Sequence, residues 1–296
     1  MSELTATPSA APGEVAVAHA FAAPPAQWRL LLRKPTFGIG AGILLFWLVC
    51  AVFGRLIAPF DPLAQQLLAK NGAPSGAHLF GTDDLGRDVL ARVIVGARDI
   101  LLIAPVATLL GVVLGAMLGL AMGYFGGVVD TVLGRIVEAV LALPVVIVAF
   151  LFIVAVGPSS ITLILVVGFI FTPLIARTVR TAVLVERQQD YLASARLLGE
   201  RPAFIMFAEI LPNVLPVIVV EFTVRLGYAI FAVATLSFLG FGVQQPTPDW
   251  GGDIATNYGL LGAGYWWETL FPALAIASLV MALNLVTDSI EQVISS

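Results

Sequence analysis

The spacing of its charges constrains this chain more than any other feature. Between Lys34 and Arg55 lie 20 uncharged residues, between Asp99 and Asp130 lie 30, and between Glu138 and Arg177 lie 38. Gly157-Pro158-Ser159-Ser160, a turn signal, divides the longest run into two segments. Glu209 to Asp249 is apolar except for Glu221 and Arg225, and 19 uncharged residues separate Glu268 from Asp288. A helix needs about 20 apolar residues to cross a hydrocarbon core of about 30 Å. Six segments meet that description. In lipid a single segment satisfies its own backbone polar groups only as a helix. The expected fold is therefore all-α, a polytopic membrane protein with six transmembrane helices.

Composition removes the main alternatives. Hydrophobic residues make up 59% and charged residues 11%, against about a quarter charged in a soluble domain. A soluble enzyme and a disordered chain are excluded on that ground. A net charge of −4 leaves no basic footprint for nucleic acid. Cys50 is the only cysteine, and His19 and His78 are the only histidines. No metal site is expected from such a set, and Cys50, inside the first span, reads as a small apolar packer. The phosphate-cradling pattern G-x-x-x-x-G-K-[ST] is missing, and neither Lys34 nor Lys70 has such a setting. An intramembrane serine protease is set aside because Gly-x-Ser-x-Gly is missing and neither histidine falls in a span. An ion-coupled secondary transporter would need acids at ion sites within the membrane, and Glu221 is the one acid clearly inside a span.

Lys and Arg in short loops set orientation. With the N-terminus inside, nine of them lie on the cytoplasmic side and five outside, so N-in/C-in is expected. Residues 1–34 read as a disordered cytoplasmic tail, 35–58 as the first transmembrane helix, and 59–99 as an extracytoplasmic segment. Tyr258, Tyr265, Trp266 and Trp267 suit an outer interfacial belt.

Gly111, Gly115, Gly119 and Gly123 recur every four residues in the second span. That spacing makes one ridge of small residues and predicts close approach of another helix. In the outer segment, Thr82 suits an N-cap, and Asp83 and Asp84 suit a first helical turn. Leu85, Val89 and Val93 then make one apolar stripe, so an amphipathic helix at the membrane surface is expected there, followed by Arg87 and Asp88 on its polar side. On the cytoplasmic side, residues 187–202 predict a short helix with Asp190 as its cap and Gly199 and Pro202 as its stop. Its density of helix formers favours a docking helix over a solvated loop. Glu221 and Arg225 are spaced i, i+4 in the fifth span. Buried charge is expensive there, so the two either line a translocation path or neutralise each other near the cytoplasmic interface.

Tyr191-Leu-Ala-Ser-Ala-Arg-Leu-Leu-Gly199, followed by Leu211-Pro212, resembles the coupling loop of permease subunits of binding-protein-dependent ABC importers. In that family a Glu-Ala-Ala helix docks on the ATPase. Here Ala193, Ser194 and Ala195 take those three positions, with Tyr191, Arg196, Gly199 and Glu200 around them. Ala193 stands where the family has Glu. Phe80-Gly-Thr-Asp-Asp-Leu-Gly-Arg-Asp88 and Leu236-Ser-Phe-Leu-Gly-Phe-Gly242, with Gln245-Pro-Thr-Pro-Asp-Trp-Gly251, are similar to the C-type permease of dipeptide, oligopeptide and nickel importers. The resemblance implies a type I ABC importer permease fold, with residues 97–290 as its core. It implies a second homologous permease, one or two ATPase subunits carrying ATP and Mg, an extracytoplasmic binding protein, and a peptide, nickel-chelate or glutathione substrate. It implies no cofactor in this chain.

Overall fold

The computed structural model describes residues 34–294. The expected N-terminal tail, Lys34 apart, lies outside the described residues. The helices in chain order are α1 (Pro35–Ile57), α2 (Val89–Phe125), α3 (Gly127–Leu141), α4 (Val145–Val156), α5 (Ser160–Glu186), α6 (Asp190–Leu197), α7 (Pro202–Phe238), α8 (Trp250–Asn257) and α9 (Trp267–Ile294). Helices α1, α2, α5, α7 and α9 are each long and apolar enough to cross a membrane, and the bent pair α3–α4 makes a sixth if taken as one span. The uncharged run from Ala139 therefore does not form one straight helix. It turns by 90° between α3 and α4. Pro144 sits at the break as the N-cap of α4, and a proline disfavours helical geometry in the residue before it. With 12 residues, α4 is about 18 Å long and too short to cross alone.

The centre of the bundle is the pairing of α2 with α5. The two helices run parallel, and Gly111, Gly115, Gly119 and Gly123 lie in turn on Phe171, Ile175, Val179 and Val183. A Cβ added at Gly115, Gly119 or Gly123 would stand 2.7, 2.7 or 2.6 Å from the Cβ of its partner, closer than real side chains approach. The i+4 row of α5 thus fills a groove that α2 has only because it lacks side chains there. Gly168 of α5 returns the relation by admitting Leu110. In lipid, where burying apolar surface adds little, such contact is the main attraction between helices. The buried core continues from this pair into α7 and α9. Helix α1 leans on the outside, where Gly40 meets the backbone of Ala282 and Trp47 Nε1 donates to Ser278 Oγ at 2.9 Å.

Two local expectations change. No amphipathic helix starts at Thr82. The helix starts at Val89, capped by Asp88, whose Oδ1 accepts from Ala91 N at 2.7 Å. The acidic residues fold a loop instead: Asp83 Oδ1 accepts from Leu85 N at 2.9 Å and Arg87 N at 2.8 Å, and Thr82 Oγ1 donates to Ala69 O. Val89 and Val93 face the core rather than a membrane surface. Trp267 leaves the expected interfacial belt as well. It is buried, and its Nε1 donates to Thr82 O at 3.1 Å, whereas Trp266 and Tyr258 are exposed.

Replacing Gly119 by Val should separate α2 from α5 and lower stability by about 1–3 kcal/mol. Gly38→Val, where nothing lies within 4 Å, should leave it unchanged. Thermal unfolding of the detergent-solubilised chain distinguishes the two; equal midpoints would contradict the packing account.

Candidate functional site

Helix α2 connects two polar clusters, one at its first turn and one at its last. At its start the chain gathers a buried set of charges. Arg87 Nε donates to Asp83 Oδ2 at 2.6 Å and its Nη1 to Gln245 Oε1 at 2.9 Å. Arg92 holds Asp253 through Nε, at 3.1 and 3.2 Å, and through Nη2. Its Nη1 donates to the carbonyls of Pro62 and Pro246, each at 3.3 Å. Two cations thus face two anions, and the side chains of all four are at most 5% exposed. Such a cluster survives burial only because each charge is both paired and hydrogen-bonded. Asp88 accepts at both oxygens, from Ala91 N and from His78 Nδ1 at 2.8 Å. Trp250 Nε1 donates to Val93 O at 2.8 Å. The result clamps the 58–88 segment, the loop around Gln245, α8 and the start of α9 onto the head of α2. Asp84 stands apart, 4.0 Å from Arg87 and partly exposed. Among the described residues, no three His, Cys, Asp or Glu side chains are grouped to hold a metal ion.

The second cluster surrounds α6. The helix covers residues 190–197, shorter than expected, and Gln189 rather than Asp190 precedes it as the cap. Gly199 ends it with φ of 77°, a left-handed conformation that glycine adopts without strain. Leu192 is fully buried and anchors the helix in the core. Ala193, Ser194, Arg196, Gly199 and Glu200 are exposed, Ala195 is half-buried, and the guanidinium of Arg196 lies 5.6 Å from the Tyr124 ring centre at the end of α2. Tyr191 OH donates to Glu186 Oε1 at 2.5 Å. Asn213 Nδ2 donates to Tyr191 OH at 2.6 Å and to Glu186 Oε1 at 3.1 Å. Partial burial, with Glu186 beside it, pushes the Tyr191 hydroxyl above its ordinary pKa, so it remains a donor.

In α7, Arg225 Nε donates to Glu221 Oε2 at 2.9 Å, and the guanidinium lies 6.0 Å from the Tyr228 ring centre. The two charges neutralise each other within one helix turn, in the favourable order.

Sequence reasoning passed over Arg92, Asp253, Asp249, Glu186, Leu192 and Asn213 as site residues. A charge inside the apolar stretch Val89–Val95 was the available signal for Arg92. Nothing local pairs it with Asp253, 161 positions away. Asp249 caps α8 by accepting from Gly252 N at 3.1 Å, and burial pushes its carboxyl up to about 6. A carboxyl that holds its proton more tightly folded than unfolded costs stability once it ionises. The contribution of Asp249 to stability should therefore fall as pH rises from about 4 to 6 and then level off. Asp249→Asn, which keeps the capping oxygen, should flatten that interval and stabilise the chain at pH 8 by about 1–3 kcal/mol. Unfolding midpoints across pH test this, and an unchanged pH profile in Asp249→Asn would refute it.

Comparison with known proteins supplies the family. Residues 111–296 match the binding-protein-dependent transport system inner membrane component family, and residues 26–74 match the N-terminal transmembrane domain of oligopeptide transport permease C. The dipeptide transport system permease protein DppC of Bacillus subtilis is 36% identical over 266 residues, covering 89% of this chain and 82% of that protein. The glutathione transport system permease protein GsiD of Salmonella typhimurium is 37% identical over 268 residues, covering 89% of this chain and 87% of that protein. A putative peptide transport system permease protein of Brucella suis is 36% identical, covering 90% of this chain and 89% of its own. Among solved structures, the MetNI methionine ABC transporter in inward-facing conformations matches with a TM-score of 0.55 at 22% identity, over 69% of this chain and 96% of that one. That likeness places the fold among type I ABC permeases. With membrane-crossing helices throughout, the chain is an integral membrane permease that belongs to the binding-protein-dependent transport system inner membrane component family.

Proposed function

We propose that this chain is the C-type permease subunit of an ATP-driven importer of di- or oligopeptides and forms half of its translocation path. The observation that carries the reading is the 36% identity to a dipeptide permease along 89% of the chain. The glutathione permease at 37% identity supports a second reading, in which the substrate is the tripeptide-like thiol glutathione. Both substrates are short peptidic zwitterions, so one path suits either.

On this reading the N- and C-termini face the cytoplasm, where nine of the Lys and Arg residues fall. Helix α6 then faces a separate ATPase that binds ATP and Mg. Its exposed Ser194 and Arg196, with Leu197 and Leu198 at 89% and 80% exposure, form the docking face. The missing carboxylate at Ala193 shifts that docking toward apolar contact. A second homologous permease completes the path, and an extracytoplasmic binding protein delivers substrate to the end held by Asp83, Arg87, Asp88 and Arg92. Nucleotide-driven closure of the ATPases shifts α6, and the packed helices exchange between inward-open and outward-open states. ATP biases the two states only through contacts that differ between them.

The chain tagged and purified from its native membrane should bring down a second permease, an ATPase and a binding protein, and the reconstituted assembly should take up radiolabelled peptide in a vanadate-sensitive, ATP-dependent way. Purification as a lone homo-oligomer, even after crosslinking at Ser194→Cys, would overturn the reading and favour an ion-coupled transporter. On the same reading Glu221 and Arg225, paired with each other in the resting chain, line the path and meet the charged termini of a peptide. Glu221→Gln and Arg225→Gln assemblies should then lose peptide uptake about tenfold, the effect of leaving one buried charge without its partner. Unchanged uptake in both would reduce the pair to a self-neutralising one.

A further inference from the structure

Three elements meet at the end of the bundle that carries α6, and three side chains join them. Glu186 is the last residue of α5, Tyr191 lies in the first turn of α6, and Asn213 lies about three turns into α7, just past residues Ile205–Ile210. Tyr191 is central, donating its hydroxyl hydrogen to Glu186 Oε1 at 2.5 Å and accepting from Asn213 Nδ2 at 2.6 Å. Asn213 Nδ2 also lies 3.1 Å from Glu186 Oε1 and 3.1 Å from Glu209 O, its two hydrogens being shared among the three acceptors. Two of the bonds end on the Glu186 side chain, so that one residue of α5 is tied to both α6 and α7.

The backbone beneath this triangle is built to bend. Residues Ile205–Ile210 are π-helical, a form that marks a local fault in the i→i−4 ladder. Pro212 and Pro216 follow one turn apart, each removing an N–H from that ladder. Between α6 and α7 the chain also passes through Gly199 in a left-handed turn. A push on α6 carried only by this backbone would be absorbed at the turn and the π-helical stretch. The hydrogen-bonded triangle bypasses both, connecting α6 directly to α5 and to the far side of the π-helical segment.

We infer that Tyr191 is a positioning residue that latches the coupling helix to α5 and α7, so that its displacement moves both spans together instead of being lost in the flexible linker. The inference rests on the importer reading and assigns a transmitting role to residues outside the small-residue motif. It predicts a change in coupling, not in ATP chemistry, which belongs to the partner.

The test uses the native assembly purified through a tag on this chain and reconstituted with its binding protein. ATP hydrolysis and uptake of radiolabelled trialanine are read in the same vesicles. Tyr191→Phe removes one hydroxyl and should lower uptake per ATP hydrolysed about five- to tenfold, the factor for one hydrogen bond of ordinary strength. Asn213→Ala should reproduce the fall, and Glu186→Gln, which keeps an accepting oxygen, should restore most of the ratio. A wild-type ratio in assembled Tyr191→Phe or Asn213→Ala complexes overturns the inference. Hydrolysis and uptake falling together at constant ratio also overturns it, because a purely structural role gives that result. Should Tyr191→Phe not assemble, the Asn213→Ala ratio alone decides. A wild-type chain that brings down no ATPase, or an assembly that takes up no peptide, defeats the functional reading instead.

Discussion

The rest of the structure depends on one contact, the close parallel approach of α2 and α5. Helices in lipid gain little from burying apolar surface, so their attraction depends on how near the backbones come. Four glycines in register admit Phe171, Ile175, Val179 and Val183 to a depth that any side chain on α2 would prevent. The pair so formed is the most extensive helix contact in the bundle; α7 packs on both of its members, and α9 packs mainly on α1, α7 and α8. The same pair joins the two ends of the molecule. The head of α2 holds the buried charge cluster, and its last turn, with the end of α5, lies beside α6. A rigid centre of this kind allows displacement at one end to be felt at the other without local collapse.

The two ends are built on different physics. At the head of α2 the loops are fastened by desolvated ion pairs, Arg87 with Asp83 and Arg92 with Asp253. Removal of one member would leave a buried charge uncompensated, at a cost of about 3–5 kcal/mol. That end is therefore stiff, and it presents a fixed surface. At the α6 end the bonds among Glu186, Tyr191 and Asn213 are partly exposed, and the neighbouring helix contains a π-helical stretch and two prolines. Such bonds are individually modest. They hold α6 less firmly than the ion pairs hold the loops at the head of α2.

Much of the local structure is legible in the residues. The charge-free runs locate the long helices, Gly157-Pro158-Ser159 marks the turn before α5, and Gly199 marks the end of α6. Two expectations fail for one reason, and a third segment bends within its length. Thr82, Asp83 and Asp84 have the composition of a helix start, yet Thr82 bonds back to Ala69 and Asp83 is taken by Arg87. Trp267 has the character of an interfacial tryptophan, yet Thr82 O draws its indole inside. The run from Ala139 has the length of a span, yet Pro144 breaks it. In the first two cases a long-range partner outweighed a local preference of well under 2 kcal/mol.

Hydrophobic length and charge depletion, properties of consecutive residues, were enough to determine an all-helical membrane chain and where its long apolar helices lie, though not their exact ends. The four-residue glycine rhythm was enough to mark a packing face, because periodicity survives in one dimension. Which helix fills that face, that Arg92 meets Asp253 across 161 positions, and that Tyr191 stands between Glu186 and Asn213 were decided only by the fold. Pairings of that kind depend on distances between segments, and a linear order of side chains carries no distance beyond its own helix turn.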